Sequence, residues 1–267
     1  MNYIGQIAKE ILGHLRLIYN LSIYEVRSKY KMHYLGVFWQ FVTPLVQIVA
    51  YWLVFGLGIR GGQPIGEVPF FLWFIVGKVP WLFISPSLTQ GAKSVYTKVG
   101  SVSKMNFPVS TLPVIKIVVN SFTFIPLLLL VILVLLFNGV LSGHYLLQLP
   151  YYLLALYILL YSVSLLTSTI TTIIRDIQTL IQSIMRLMMF SLPILWNVES
   201  LPNKLVKVLQ LNPFFYVVKG FRDSLLGGTW FFEDMSYTIY FWLATLFILL
   251  IGSYMHIRFR HEFVDYL

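Results

Sequence analysis

Between residues 35 and 59 the chain carries no charged side chain, and Arg27, Lys29 and Lys31 stand just ahead of that stretch. An apolar run of about 20 residues or more is long enough to cross the ~30 Å hydrocarbon layer as a helix rising 1.5 Å per residue. A positive collar before such a run marks the cytoplasmic side of the membrane. The stretch YEVRSKYKMHYLGVFWQFVTP, residues 24–44, is therefore a membrane entry, and it sets the direction of every later segment.

Further apolar runs follow at 69–90, 117–137, 149–174, 177–196 and 237–257, each long enough to span. Runs four and five are separated only by Arg175 and Asp176. One helix through both would overshoot the bilayer, so this pair marks a turn at the inner end of the bundle. The chain as a whole is 58% hydrophobic and 11% charged, where a soluble domain carries about 25% charged residues. Most of its surface must face lipid. The expected fold is an all-α integral membrane protein with six transmembrane helices.

Ahead of the first span, Ile4, Ile7, Ile11, Leu15 and Ile18 recur at helical spacing, with Gln6, Lys9, Glu10 and Arg16 mostly on other faces. This predicts an amphipathic interface helix, or one packed on a partner protein. No signal peptide is expected, since residues 1–34 hold no uninterrupted apolar core with a cleavage site. The organisation is thus an interfacial segment, 1–34, and a six-span domain, 35–267.

Charge gives the orientation. Lys9, Arg16, Arg27, Lys29, Lys31, Lys93, Lys98, Lys104, Lys116, Arg175, Arg258 and Arg260 fall on one side. Arg60, Lys204, Lys207, Lys219 and Arg222 fall on the other. The excess puts both termini in the cytoplasm. The net charge of +9 sits in the gaps between apolar runs, where it meets lipid headgroups, and does not form a nucleic-acid-binding stripe.

Two connections exceed a turn. The inner one, KVGSVSKMNFPVSTLP, contains Lys98, Ser101, Ser103 and Lys104, and predicts a short projecting helix stopped by Pro108. The outer one, 197–236, holds two apolar pieces too short to cross, divided by Asn212–Pro213 and ended by Gly227–Gly228. These read as re-entrant half-helices forming an outer cap, or as a loop lying on the outer surface. Irregular backbone at membrane depth needs protein or a water-filled cavity around it.

Catalytic motifs fail in context. GLGIRG, residues 56–61, matches G-x-G-x-x-G but follows a membrane span instead of a strand. There is no P-loop, no DxD pair and no HExxH, and His14, His33, His144, His256 and His261 are scattered. His261-Glu-Phe-Val-Asp265 has the wrong spacing for an acyltransferase box. The absence of cysteine excludes disulfides and thiolate sites. No catalytic or metal residues are expected. A polyprenyl-lipid-processing enzyme would need acidic or histidine residues clustered at one face. A proton-driven carrier would need a carboxylate inside a span, and none of the six runs contains one.

Lys78 and Arg186 lie well inside apolar runs, where a charge costs at least ~2.5 kcal/mol on insertion scales. They are either internally bonded or contacts for an anionic substrate. Trp39, Tyr51, Trp52, Trp73, Phe74, Trp81 and Trp196 offer flat rings in spans one, two and five, on which sugar rings can stack.

LGVFWQFVTP after a charged R-x-K-Y, then NFPVSTLP, RD, SLPILW and LNPFFYVVKGFRD in that order resemble the permease subunits of ABC-2-type polysaccharide exporters, most closely teichoic acid translocation permeases. The resemblance covers essentially the whole chain. It implies a homodimer working with two copies of a cytoplasmic ABC ATPase, which would carry ATP and Mg, while this chain holds no cofactor. It implies export of a lipid-linked anionic polymer such as wall teichoic acid, the same frame suiting O-antigen or capsular polysaccharide. Glu25, Arg27, Lys29, Lys98, Ser101, Ser103 and Lys104 would then dock the ATPase. Asn212, Pro213, Arg222 and Asp223 would belong to the outer cap, and Arg175–Asp176 to the inner end.

Overall fold

In the computed structural model of the protein, residues 3–31, 34–98, 100, 107–198 and 201–263 are described, and they are almost entirely helical. Backbone in lipid has only itself to bond to, so uncharged runs settle as helices. The first span is α3 (Trp39–Tyr51), entered by a 3-10 turn at Gly36–Phe38 and continued by a π-helical segment at Trp52–Ile59. Then come α4 (Phe70–Ala92), α5 (Thr111–Phe137) and α6 (Leu149–Ile173), the last preceded by a 3-10 turn at Tyr145–Gln148. The long helix α10 (Met235–Phe259) closes the chain. Among the described residues, five helices are thus long and apolar enough to cross a membrane.

The run expected to span at 177–196 differs. It forms α7 (Ile177–Ser191), a helix of 15 residues. At 1.5 Å per residue that is about 22 Å, short of the hydrocarbon thickness. The cause is Pro193, which disfavours helical backbone at Leu192, and Leu192 is accordingly extended (φ −84°, ψ 151°). The freed helix end finds another partner, as Trp196 Nε1–H donates to the Phe190 carbonyl at 2.9 Å. Leu192 and Ile194 are fully buried, so the chain continues inward without helix.

α4 is the hub. Trp73, Phe74, Val76, Val79, Phe83, Ile84 and Leu88 on its several faces are buried. It lies between α5 and α6, with α7 running antiparallel beside it: Gln178 Nε2 donates to Thr89 O, and Met189 lies beside Lys78. α3 is the opposite case, leaving Leu45, Val46, Val49, Leu53 and Val54 exposed by the bundle.

The amphipathic segment is two helices, α1 (Tyr3–Gly13) and α2 (Leu15–Tyr30), instead of one over 3–18. Both are seated on the bundle. A second small core joins Ile18 and Val26 of α2 to Val95, Leu112, Ile115, Val119 and Phe263. Two carboxylates clamp it. Glu25 accepts from Lys98 Nζ at 3.0 Å and from Lys116 Nζ. Glu10 accepts from Arg260 Nη1 at 2.9 Å and from Ser110 Oγ at 2.6 Å. The start and the finish of the chain therefore share one end of the bundle.

At the opposite end lie α8 (Asn203–Leu209) and α9 (Pro213–Leu226). The Asn212 side chain accepts from Phe214 N at 3.0 Å and Pro213 opens the helix, the arrangement that satisfies a free amide and needs no other. Gly227, at φ +87°, stops it. Phe215, Val217, Val218, Phe221 and Leu225 are fully buried, because α9 is inserted among α4, α6 and α10. Gly220 permits the insertion: a Cβ there would run into the Tyr152 ring.

Candidate substrate pathway

Polar residues recur at helical spacing inside three apolar runs. On α3 they are Gln40, Thr43 and Gln47, continued by Tyr51; on α4, Lys78, Ser85 and Thr89; on α7, Gln182 and Arg186. Steps of three, four and, from Lys78 to Ser85, seven place each set on one helix face. In the fold these faces, with Asn120 and Thr123 of α5, turn toward one another around a cavity of about 1130 Å³. Among the described residues its lining includes carboxamides, hydroxyls and the cations Lys29, Lys78 and Arg186, but no carboxylate.

Lys78 is only 2% exposed. Its ammonium lies 3.5 Å from Met189 Sδ and 4.0 Å above the centre of the Tyr51 ring. A thioether and an aromatic face are weak partners for a desolvated charge, and among the described residues no carboxylate reaches it. Arg186 is exposed and donates from Nη2 to Ser183 Oγ at 3.2 Å. At Lys78 and Arg186 the cavity thus presents positive charge with no carboxylate beside it among the described residues, next to donors and acceptors matched to hydroxyl groups. Trp39, Tyr51, Trp81 and Phe190 add flat apolar faces to the wall.

Of the aromatic residues predicted for a pathway, Trp39, Tyr51 and Trp81 line this cavity, and Trp52, Trp73, Phe74 and Trp196 do not. Trp52 packs edge-on against Phe71. Phe74, one turn beyond Lys78 toward the cap, is sealed by Phe70 and Tyr51. Trp73 faces α9, under the guanidinium of Arg222. Trp196 serves the broken end of α7 and leans on Phe215. The Gln, Asn and Thr residues were missed, although their spacing within uncharged runs is a readable signal.

Of the residues expected to dock an ATPase, Glu25 and Lys98 pair with each other, Arg27 is exposed, and Lys29 borders the cavity. Ser101, Ser103 and Lys104 lie outside the described residues. Burial opposes the charge on Glu25, but Lys116 and then Lys98 outweigh it, holding the carboxyl below its usual value. Arg175 and Asp176 form the exposed turn between α6 and α7. In the cap, Asp223 pairs with Lys219 Nζ at 3.1 Å and accepts from Thr229 Oγ1 at 3.2 Å.

Apolar helices around a polar cavity, with a buried cap across one end, make a membrane permease: the helices satisfy the lipid and the cavity suits a polar solute. The chain belongs to the ABC-2 type transporter family, whose pattern matches residues 16–226. It is similar to an O-antigen export system permease protein RfbA of Klebsiella pneumoniae, with 23% identity over 96% of this chain and 97% of that protein. It also resembles the protein of that name from Myxococcus xanthus, 29% identical over 120 residues and 45% of each chain. Both relatives are named as permeases of O-antigen export systems.

Proposed function

We infer that this chain is the transmembrane subunit of an ATP-driven exporter carrying a lipid-linked, anionic, hydroxyl-rich cell-envelope polymer across a bacterial plasma membrane. The cavity carries this reading: Lys78 and Arg186, with no carboxylate beside them among the described residues, stand among amides and hydroxyls within the bilayer. Amides donate to and accept from sugar or polyol hydroxyls, and the cations attract phosphate. A poly(polyol phosphate) of the wall teichoic acid kind meets both demands. The names of the relatives favour a second reading, O-antigen polysaccharide, whose phosphate would be that of its lipid carrier.

The end holding α1, α2 and both chain termini faces the cytoplasm, and the cap faces outward, in keeping with the distribution of Lys and Arg. A polar cavity bordered by the thinly covered α3 must be closed off from lipid tails. A second copy of the chain supplies that wall. ATP and Mg reside on two copies of a cytoplasmic ATPase. Closure of that ATPase does work on the bundle only through contacts that differ between its states. The exposed Arg27 on α2, and the 98–107 connection, are the surfaces offered for those contacts.

The test is export by the permease–ATPase complex in proteoliposomes. Lys78→Gln and Arg186→Gln should each slow export of a phosphate-bearing polymer at least tenfold, with insertion unchanged. Undiminished export by both variants refutes the cargo assignment. Charge reversal at Arg27 should leave ATP hydrolysis running without export, and normal coupling in that variant refutes the docking assignment.

A further inference from the structure

Beyond the cavity, a fourth cation lies nearer the cap than the other three. Lys29 lies on α2, ahead of the first span, and Arg186 lies midway along α7. Lys78 touches Met189, three residues or about 4.5 Å further along α7 toward the cap. The residue before Lys78 is Gly77, and against Gly77 lies Arg222 of the cap helix α9. A Cβ on Gly77 would come within 2.6 Å of Arg222 Nη2 and 3.5 Å of the Ile194 Cα. Trp73, one turn earlier on α4, supplies the floor, with the guanidinium carbon 3.5 Å above its ring centre. Trp73 and Gly77 therefore form a slot on α4 shaped to an arginine fork.

The slot holds the fork without bonding it. Arg222 Nε and Nη2 are shut off from solvent and have no hydrogen-bond acceptor among the described residues. The neighbouring carboxylate, Asp223, is engaged by Lys219 and Thr229. A guanidinium stripped of water with donors unused is costly to keep, and a tetrahedral oxyanion accepting from Nε and Nη2 side by side is the partner its geometry fits.

We propose that Arg222 is a phosphate-binding residue of the exit, parked on Trp73 and Gly77 until a phosphate arriving past Lys78 engages its fork and draws α9 off α4. This rests on the reading of the cargo as anionic. The phosphate comes from the polymer backbone or from the diphosphate of its lipid carrier.

The chain has no cysteine, so a single reporter can be read cleanly. Val218 is fully buried and lies one turn from Arg222 on the same face of α9. Val218→Cys, in the permease–ATPase complex in nanodiscs, is reacted with a membrane-impermeant maleimide during ATP turnover. Lipid-linked poly(glycerol phosphate) should speed labelling at least fivefold, and Arg222→Gln or Arg222→Lys should remove the increase. Gly77→Ala, which keeps the charge but fills the slot, should give fast labelling without polymer. A neutral polysaccharide on the same lipid diphosphate separates the sources. Arg222-dependent labelling with both polymers assigns the phosphate to the carrier, and with poly(glycerol phosphate) alone to the backbone.

Acceleration indifferent to Arg222, or slow labelling in Gly77→Ala, overturns the proposal. Failure of the cargo reading looks different: Lys78→Gln and Arg186→Gln would then export charged and neutral polymers as the parent does. Loss of charged export in those two variants, with Arg222→Gln behaving as the parent, overturns only the role of Arg222.

Discussion

Replacing Lys78 by Met separates a functional cation from a structural one. A charge at the centre of a span costs about 3 kcal/mol on insertion scales, whereas an apolar side chain there costs nothing. Against this, a desolvated ammonium over an aromatic ring recovers roughly 2 kcal/mol, and Lys78 has that contact with Tyr51. The Met189 sulfur adds little. Met has nearly the same length and fills the same space without leaving a donor unsatisfied. Lys78→Met should therefore stabilise the subunit by about 1 kcal/mol. For a chain of this size that is a rise in Tm of about 2 °C. Export of a phosphate-bearing polymer should fall at least tenfold in the same protein. Thermal unfolding in nanodiscs, followed by tryptophan fluorescence, is read beside export in proteoliposomes. A lower Tm together with intact export would refute the reasoning, because it would mean that the ammonium holds the bundle together.

Three further outcomes follow from named contacts. Glu25→Gln removes both ion pairs of the α2 clamp and should cost about 1–2 kcal/mol by thermal unfolding. Because the folded carboxyl titrates below its ordinary value, its stabilisation is complete above that value. The gap between parent and Glu25→Gln should stay constant near neutral pH and close only on acidification through the lowered pKa. Gly220→Ala drives a methyl into the Tyr152 ring and should cost about 1–3 kcal/mol, and an unchanged Tm would contradict the seating of α9 on α6. Gln47→Leu removes one carboxamide from the cavity wall; export should slow with insertion intact, and export at the parent rate would remove Gln47 from the pathway.

Lengths of apolar sequence located α3, α4, α5, α6 and α10, since lipid leaves the backbone few alternatives. The same rule overran at α7, where composition stays apolar through residue 196 but Pro193 ends the helix early. A proline acts locally, and a count of apolar residues is blind to it. Lys78 and Arg186 were visible because any charge in such a run is conspicuous. Their uncharged companions Gln40, Gln47, Asn120 and Gln182 were less so, although their spacing marked a face. Trp73 and Phe74 illustrate the limit: both look like pathway rings in sequence, yet only the packing of α9 and Tyr51 decides that they are covered. Arg222 was expected in the cap, and nothing in its neighbours indicated that its fork would be sealed against a tryptophan.

The clamp between Glu10 and Arg260 joins positions 250 residues apart, and Phe263 completes the small core that also holds Ile18. α1 and α2 precede the spans, but they are seated on different parts of the chain: α2 on residues 95–119, and α1 on α10, which is synthesised long after it. Until α10 has been threaded and its tail has emerged, α2 can already pack on Val95, Leu112 and Ile115, while α1 has little besides the membrane surface to lie on. Its apolar stripe, Ile4, Ile7 and Ile11, suits it to wait there. α1 is thus fastened like a clasp only after α10 is in place, and a chain that stalls before residue 260 leaves Glu10 without its Arg260 partner.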